Sequence, residues 1–190
     1  MPAKADPAPR RPILYVFFGL IATGKSTLAA AWAAHHHLAY ANSDVVRKEL
    51  AGLRPTSGRP EAPEQGIYTP EFSRKTYDEL RRRAEAELRQ GRDMVLDASY
   101  LERAERQRVL ALAEQTGATA RFILCDCSDQ VKQERLALRA RDPQAVSDGR
   151  WEIYLRQREK FQPPTELPPD QLIIIDTNQP LPALLASLDQ

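Results

Sequence analysis

Ile13-Leu14-Tyr15-Val16-Phe17-Phe18-Gly19-Leu20-Ile21-Ala22-Thr23-Gly24-Lys25-Ser26 is the stretch whose reading decides the fold. Its first six residues are uninterruptedly apolar, the pattern of a strand buried on both faces. The next eight match G-x-x-x-x-G-K-[ST] at every fixed position. The residues that follow, TLAAAWAA, favour helix, and a helix is predicted over about 25–36. A wrapped turn between a strand and a helix points backbone N–H groups inward, and the helix start adds its partial positive charge. The segment is therefore read as a cradle for an anion.

The pattern is that of a P-loop, and its residues carry defined expectations. Gly19, Ala22, Thr23, Gly24, Lys25, Ser26 and Thr27 are expected to wrap the phosphates of ATP. Lys25 would reach the β- and γ-phosphates, and Ser26 would offer its hydroxyl to Mg²⁺. Ala22 departs from the glycine common in small kinases; it fits without strain if its φ stays negative.

Outward from the cradle, short apolar runs alternate with helical patterns. Strands are expected at 39–42, 93–97, 120–125 and 172–176. Helices are expected at 44–50, 71–90, 102–115, 129–141, 151–161 and 182–188. This alternation implies an α/β fold with a parallel sheet and helices on both faces, joined by right-handed crossovers. The P-loop NTPase pattern further implies five strands in the order 2-3-1-4-5 and a small helical lid over about 128–150. Residues 1–12, rich in Pro and Ala, read as a mobile tail ahead of one domain spanning 13–190. Residues 52–70 read as a long surface loop.

Composition sets limits on function. Lys and Arg total 27 against 26 Asp and Glu, a net charge of +1. That balance disfavours bulk attraction to long nucleic acid or acidic membranes. No apolar run approaches the ~20 residues of a membrane span, and no secretory leader is evident, so a cytoplasmic location is expected. Cys125 and Cys127 are expected to be buried and structural. The run His35-His36-His37 makes a poor three-ligand metal site, because adjacent side chains at a helix end diverge. Trp32 and Trp151 are expected to pack. The Arg81–Arg83 run is read as a solvated face.

Further motifs narrow the class. Asp97, at a strand end, is followed by Ala98-Ser99 rather than by the Glu with which motor ATPases activate water. Neither a guanine-reading Asn-Lys-x-Asp stretch nor a transporter signature occurs. Asp44-Val45-Val46-Arg47 resembles the D-x-x-R element of phage-type polynucleotide kinases, with related patterns in zeta-toxin and gluconate-type kinases. Val95-Leu96-Asp97-Ala98-Ser99-Tyr100 with Arg106, then Ser147-Asp148, Trp151 and Gln157, resemble motifs of bacterial AAA-family ATP-binding proteins regarded as kinases. The resemblance runs from about residue 13 to 176.

That resemblance implies roles. Asp44 would accept the proton of an attacking hydroxyl; its alternative is to cap a helix, which Ser43 would do as well. Arg47 would orient the acceptor or pair with a carboxylate. Asp97 would hold Mg²⁺ through water, bind an acceptor hydroxyl, or contact Lys25. Arg106 would join the acceptor site. Arg135 and Arg139, one helical turn apart, resemble lid arginines that neutralise transferred phosphate, with Arg141 as a substitute and a solvated basic helix as the alternative. The implied activity is transfer of the γ-phosphate of Mg-ATP to a hydroxyl, on a small molecule or a short polynucleotide 5′ end. The competing reading is an ATP-dependent switch that signals to a protein partner.

Overall fold

The computed structural model describes residues 10–54, 66–139 and 151–189. Five strands, β1 (Ile13–Phe18), β2 (Ala39–Asn42), β3 (Met94–Asp97), β4 (Thr119–Asp126) and β5 (Leu172–Asp176), form one parallel sheet in the order β2-β3-β1-β4-β5. The helices are α1 (Lys25–His35), α2 (Ser43–Leu50), α3 (Pro70–Leu88), α4 (Arg103–Thr116), α5 (Asp129–Arg139), α6 (Trp151–Lys160) and α7 (Leu181–Leu188). Two 3₁₀ turns, Gly66–Tyr68 and Pro169–Gln171, lie in stretches read as irregular.

The pleat of β1 divides the core. Leu14, Val16 and Phe18 point to one face and pack with Leu80, Ala84 and Leu88 of α3 and Val109 and Leu112 of α4. Phe17 points to the other, against Leu28 and Trp32 of α1 and Leu184 and Leu188 of α7. Both faces of the central strand are thus covered, as its unbroken apolar run requires. Each fully buried Leu or Phe contributes about 1.5–3 kcal/mol. A smaller cluster of Ile21, Ala22, Leu136 and Tyr154 packs α5 and α6 onto the cradle.

Residues 10–12, assigned to the tail from sequence, are held in place. Arg10 pairs with Asp93 at 2.6 Å, and Thr119 N–H donates to Pro12 O at 2.9 Å. Residues 1–9, the centre of the expected 52–70 loop, and the expected lid from 140 to 150, with Arg141, Ser147 and Asp148, lie outside the described residues. Among the described residues no helix is long and apolar enough to cross a membrane. Cys125 and Cys127 are buried, free thiols.

Candidate active site

The cradle begins where β1 ends. Gly19 has φ 138, and a Cβ there would meet Cys125 O at 2.4 Å, so only glycine lets β1 turn this close to β4. Ala22 differs from expectation. Its φ is 64, in the left-handed region, so the residue is strained rather than relaxed. The strain is held by neighbours: the Ala22 carbonyl accepts from Arg135 Nη1 at 3.3 Å, and its side chain is buried against α5 and α6. Gly24 has φ 80 and ends the turn as the N-cap of α1. Thr23 Oγ1 donates to Leu20 O at 2.8 Å, and Lys25 Nζ donates to the same carbonyl at 3.4 Å. Thr27 is exposed in the first turn of α1.

Beside the cradle, β2 and β3 end in a polar cluster around the fully buried Asp97. Tyr40 Oη donates to Asp97 Oδ2 at 2.7 Å, and Asn42 Nδ2 donates to the same oxygen at 2.5 Å. Asn42 Nδ2 also lies 3.5 Å from Ser26 Oγ. The other carboxylate oxygen, Asp97 Oδ1, is buried with no hydrogen-bond partner among the described residues. A buried, unsatisfied carboxylate oxygen next to the P-loop hydroxyl suits a hard cation with oxygen ligands. Ser26 and Asp97 therefore fit the expected Mg²⁺ site.

Asn42 also settles how α2 starts. Its Oδ1 accepts from Asp44 N–H at 2.9 Å and Val45 N–H at 3.1 Å, so Asn42 is the N-cap. Neither Asp44 nor Ser43 caps the helix. Asp44 lies half-buried in the first turn. Burial pushes its pKa up, Lys25 and Arg47 draw it down, Asp97 raises it and Lys48 lowers it; the net shift is upward. Burial pulls the pKa of half-buried Arg139 down, Asp44 pushes it up, Arg135 lowers it and Asp97 raises it. Asp44, Asp97, Lys25 and Arg139 thus share one electrostatic neighbourhood, although they come from four elements.

The other candidates divide. Arg47 is buried. Its Nη1 donates to Ile67 O at 2.7 Å and Ser73 Oγ at 3.2 Å, and its guanidinium lies 5.1 Å from the Tyr68 ring centroid. These bonds tie α2 to the start of α3, while its charge still acts on Asp44. Arg135 clamps the cradle to the end of β5: Nη1 donates to Thr177 Oγ1 at 3.1 Å and Nη2 to Thr177 O at 2.7 Å. Thr177 Oγ1 in turn donates to Thr23 O at 2.6 Å.

Arg106 requires a correction. Its side chain is fully buried in α4, where Nε and Nη2 bond Glu166 at 2.5 and 3.2 Å. Nη1 donates to Tyr100 O at 2.8 Å and Nη2 to Gln162 O at 2.9 Å. Those donors are spent on the fold, so Arg106 supports the end of β3 and does not face an acceptor.

Sequence reasoning passed over Tyr40, Asn42 and Thr177. The Asn two residues before Asp44, at a strand end, carried a capping signal. Thr177 carried none, because its contacts come from distant parts of the chain. Gln157 gained a physical role: its Oε1 accepts from Ile21 N–H at 2.8 Å, joining α6 to the cradle.

A parallel 2-3-1-4-5 sheet with a phosphate cradle between β1 and α1 defines a P-loop NTPase fold. The chain belongs to the AAA domain family, whose model matches residues 14–164. No protein of curated function matches it by sequence. Solved structures share the fold. A candidate kinase from Chloroflexus aurantiacus J-10-fl is 21% identical with a TM-score of 0.71, covering 95% of this chain and 98% of its own. A sugar kinase from Janibacter sp. HTCC2649 is 20% identical with a TM-score of 0.64, covering 94% and 92%. Chaetomium thermophilum Kti12, solved with ADP-AlF3, is 13% identical with a TM-score of 0.68, covering 93% and 97%.

Proposed function

We propose that this protein is a kinase that transfers the γ-phosphoryl group of Mg-ATP to a hydroxyl of a small acceptor. The observation that carries the reading is Asp44: a half-buried carboxylate of raised pKa, released from helix capping by Asn42, in the field of Lys25 and Arg139. A base at a helix start beside a phosphate cradle suits a hydroxyl nucleophile.

The cradle's N–H groups and Lys25 hold the β- and γ-phosphates. Ser26 and Asp97 would hold Mg²⁺, which when bound would offset phosphate charge. Asp44 takes the proton of the acceptor hydroxyl as the new O–P bond forms and the bond to the β-phosphate oxygen breaks, leaving ADP. Lys25 and Arg139 stabilise the charge that spreads over the phosphoryl oxygens, a contribution a positioned arginine makes at about 10³–10⁵-fold in rate. Arg135 keeps the cradle fixed against Thr177. The solved sugar kinase of the same fold supports a small hydroxylic acceptor.

The test is incubation with γ-labelled ATP and Mg²⁺ against sugars, nucleotide sugars, aminoglycosides, nucleosides and 5′-hydroxyl oligonucleotides, with Lys25→Ala as control. Label on one acceptor class, absent in the control, is the expected result. Label released only as free phosphate across the panel would overturn the reading in favour of an ATP-driven switch.

A further inference from the structure

Helix α1 carries the cradle at its start and a different cluster at its end, about 16 Å away at 1.5 Å per residue. His35 is its last residue and His36 its C-cap. Leu38 N–H donates to Ala33 O at 2.8 Å and His37 N–H to Ala34 O at 3.3 Å. These are the paired bonds of a Schellman ending, with His37 in the left-handed position at φ 55. The backbone at His35 and His36 is thereby pinned. Helix α7 ends beside it, and its C-cap is Asp189.

The sequence makes a site of three adjacent histidines geometrically poor. The fold, however, replaces the third with a carboxylate: ligand atoms of His35, His36 and Asp189 all lie within 4.8 Å of one another. We propose that His35, His36 and Asp189 form a binding site for a divalent first-row transition ion such as Zn²⁺, which staples the end of α1 to the end of α7.

Distances come first. An ion at the centre of a triangle with 4.8 Å sides lies about 2.8 Å from each corner, so side-chain rotations of under an ångström reach the 2.0–2.2 Å of Zn–N and Zn–O bonds. His36 Nε2 and Asp189 Oδ1 are already 3.1 Å apart, close to the roughly 3.3 Å edge of a tetrahedron around such an ion.

Two further observations point to a cation there. Among the described residues, buried His36 Nε2 makes no hydrogen bond, although Asp189 Oδ1 stands 3.1 Å from it. An ion set off the direct line satisfies both atoms. The C-terminal ends of α1 and α7 also converge on the site, and each presents the negative end of a helix dipole. The Trp32 ring, 4.0 Å from His36, backs the imidazole and limits its rotation.

Two imidazoles and one carboxylate select zinc, nickel or copper over magnesium, which prefers all-oxygen octahedra. This separates the site chemically from the Ser26–Asp97 pair. His35 and Asp189 are exposed, so water can fill the fourth position.

The experiment is calorimetric titration of the full, untagged chain with Zn²⁺, alongside thermal melts with and without the ion. One Zn²⁺ per chain with micromolar or tighter affinity is expected, with a higher melting midpoint. Asp189→Asn and His36→Gln should each weaken binding at least about tenfold and remove the thermal shift. Asp189 is exposed, so its variant tests the site without disturbing the core. Ser26→Ala should leave Zn²⁺ binding unchanged. Binding that appears only at millimolar Zn²⁺, that survives both ligand substitutions, or that is lost in Ser26→Ala instead would overturn the proposal.

Discussion

Asn42 donates to Asp97 Oδ2 at 2.5 Å while its own Oδ1 caps helix α2, so one side chain fixes both the strand-end carboxylate and the helix that carries Asp44. Asn42→Ala removes a cap that stabilises by about 1 kcal/mol and a charge-assisted hydrogen bond that contributes about 1.5–3 kcal/mol. The melting midpoint should fall, and phosphoryl transfer with it. Asn42→Asp keeps the capping oxygen but loses the donor and sets a second carboxylate against Asp97. It should retain α2 and still lose transfer. An Asn42→Ala protein that melts and turns over like the parent would contradict this linkage.

Asp44 gives a prediction in which stability and activity move in opposite directions. Burial raises its folded-state pKa above the unfolded value, against the opposing pull of Lys25 and Arg47. The fold therefore favours the protonated form. Its stabilising contribution is complete below the unfolded carboxylate pKa of about 3.9 and is lost as pH rises through the raised folded value. At neutral pH the ionised Asp44 destabilises the fold. Asp44→Asn should thus raise the melting midpoint at pH 7, with the gain vanishing in acid, while abolishing transfer and sparing ATP binding. The acid limb of the parent's pH–rate profile should lie above the ordinary carboxylate range. Melts at pH 7 and pH 3.5 and a pH–rate series check each part.

Ala22 holds a left-handed conformation that costs a non-glycine residue about 1–2 kcal/mol. Ala22→Gly relieves that strain but frees the unfolded chain, which returns about 0.4–1 kcal/mol. A net gain of about 0.5–1 kcal/mol is expected, or about 1–4 °C for a domain of this size. Calorimetric melts decide it: a lower midpoint would show that the packing of the Ala22 methyl against α5 and α6 outweighs the backbone strain.

The fold was legible because its evidence is local and repeated. The β1 run had to be buried on both faces, and each later strand was bracketed by helical periodicity. The observed β5 coincides with the expected 172–176 stretch. The cradle was legible because glycine and lysine at fixed spacing have one physical use. What sequence could not reveal was pairing across distance. Asn42 looks like a generic turn residue until β3 brings Asp97 beside it. Thr177 is unremarkable until β5 places it over Thr23. Arg106 carries the same charge whether it meets an acceptor or Glu166; only burial distinguishes the two. Ala22 misled because the sign of φ depends on contacts that α5 and α6 supply.

Arg106 offers the sharpest contrast between a binding and a supporting role. Although burial pushes the Glu166 carboxyl up, the hydrogen bond from Arg106 holds its pKa below the usual range. A depressed carboxylate contributes stability that is present above its unfolded pKa and lost as pH falls through the folded one. Arg106→Met leaves the partly buried Glu166 with only the longer contact to Arg103 Nε at 3.4 Å, a loss toward the lower end of the about 3–5 kcal/mol that breaking a buried pair costs. The midpoint should drop by several degrees. The acid-side loss of stability that stems from Glu166 should also shrink, because the strongest influence lowering its pKa goes with the arginine while its backbone hydrogen bond and Arg103 remain. Adding Glu166→Leu removes the weakly partnered charge and should recover part of the loss. Recovery stays incomplete because Tyr100 O and Gln162 O lose their donors as well. Had Arg106 bound the acceptor, Arg106→Met would raise KM for the acceptor with little change in melting, and Glu166→Leu would rescue nothing.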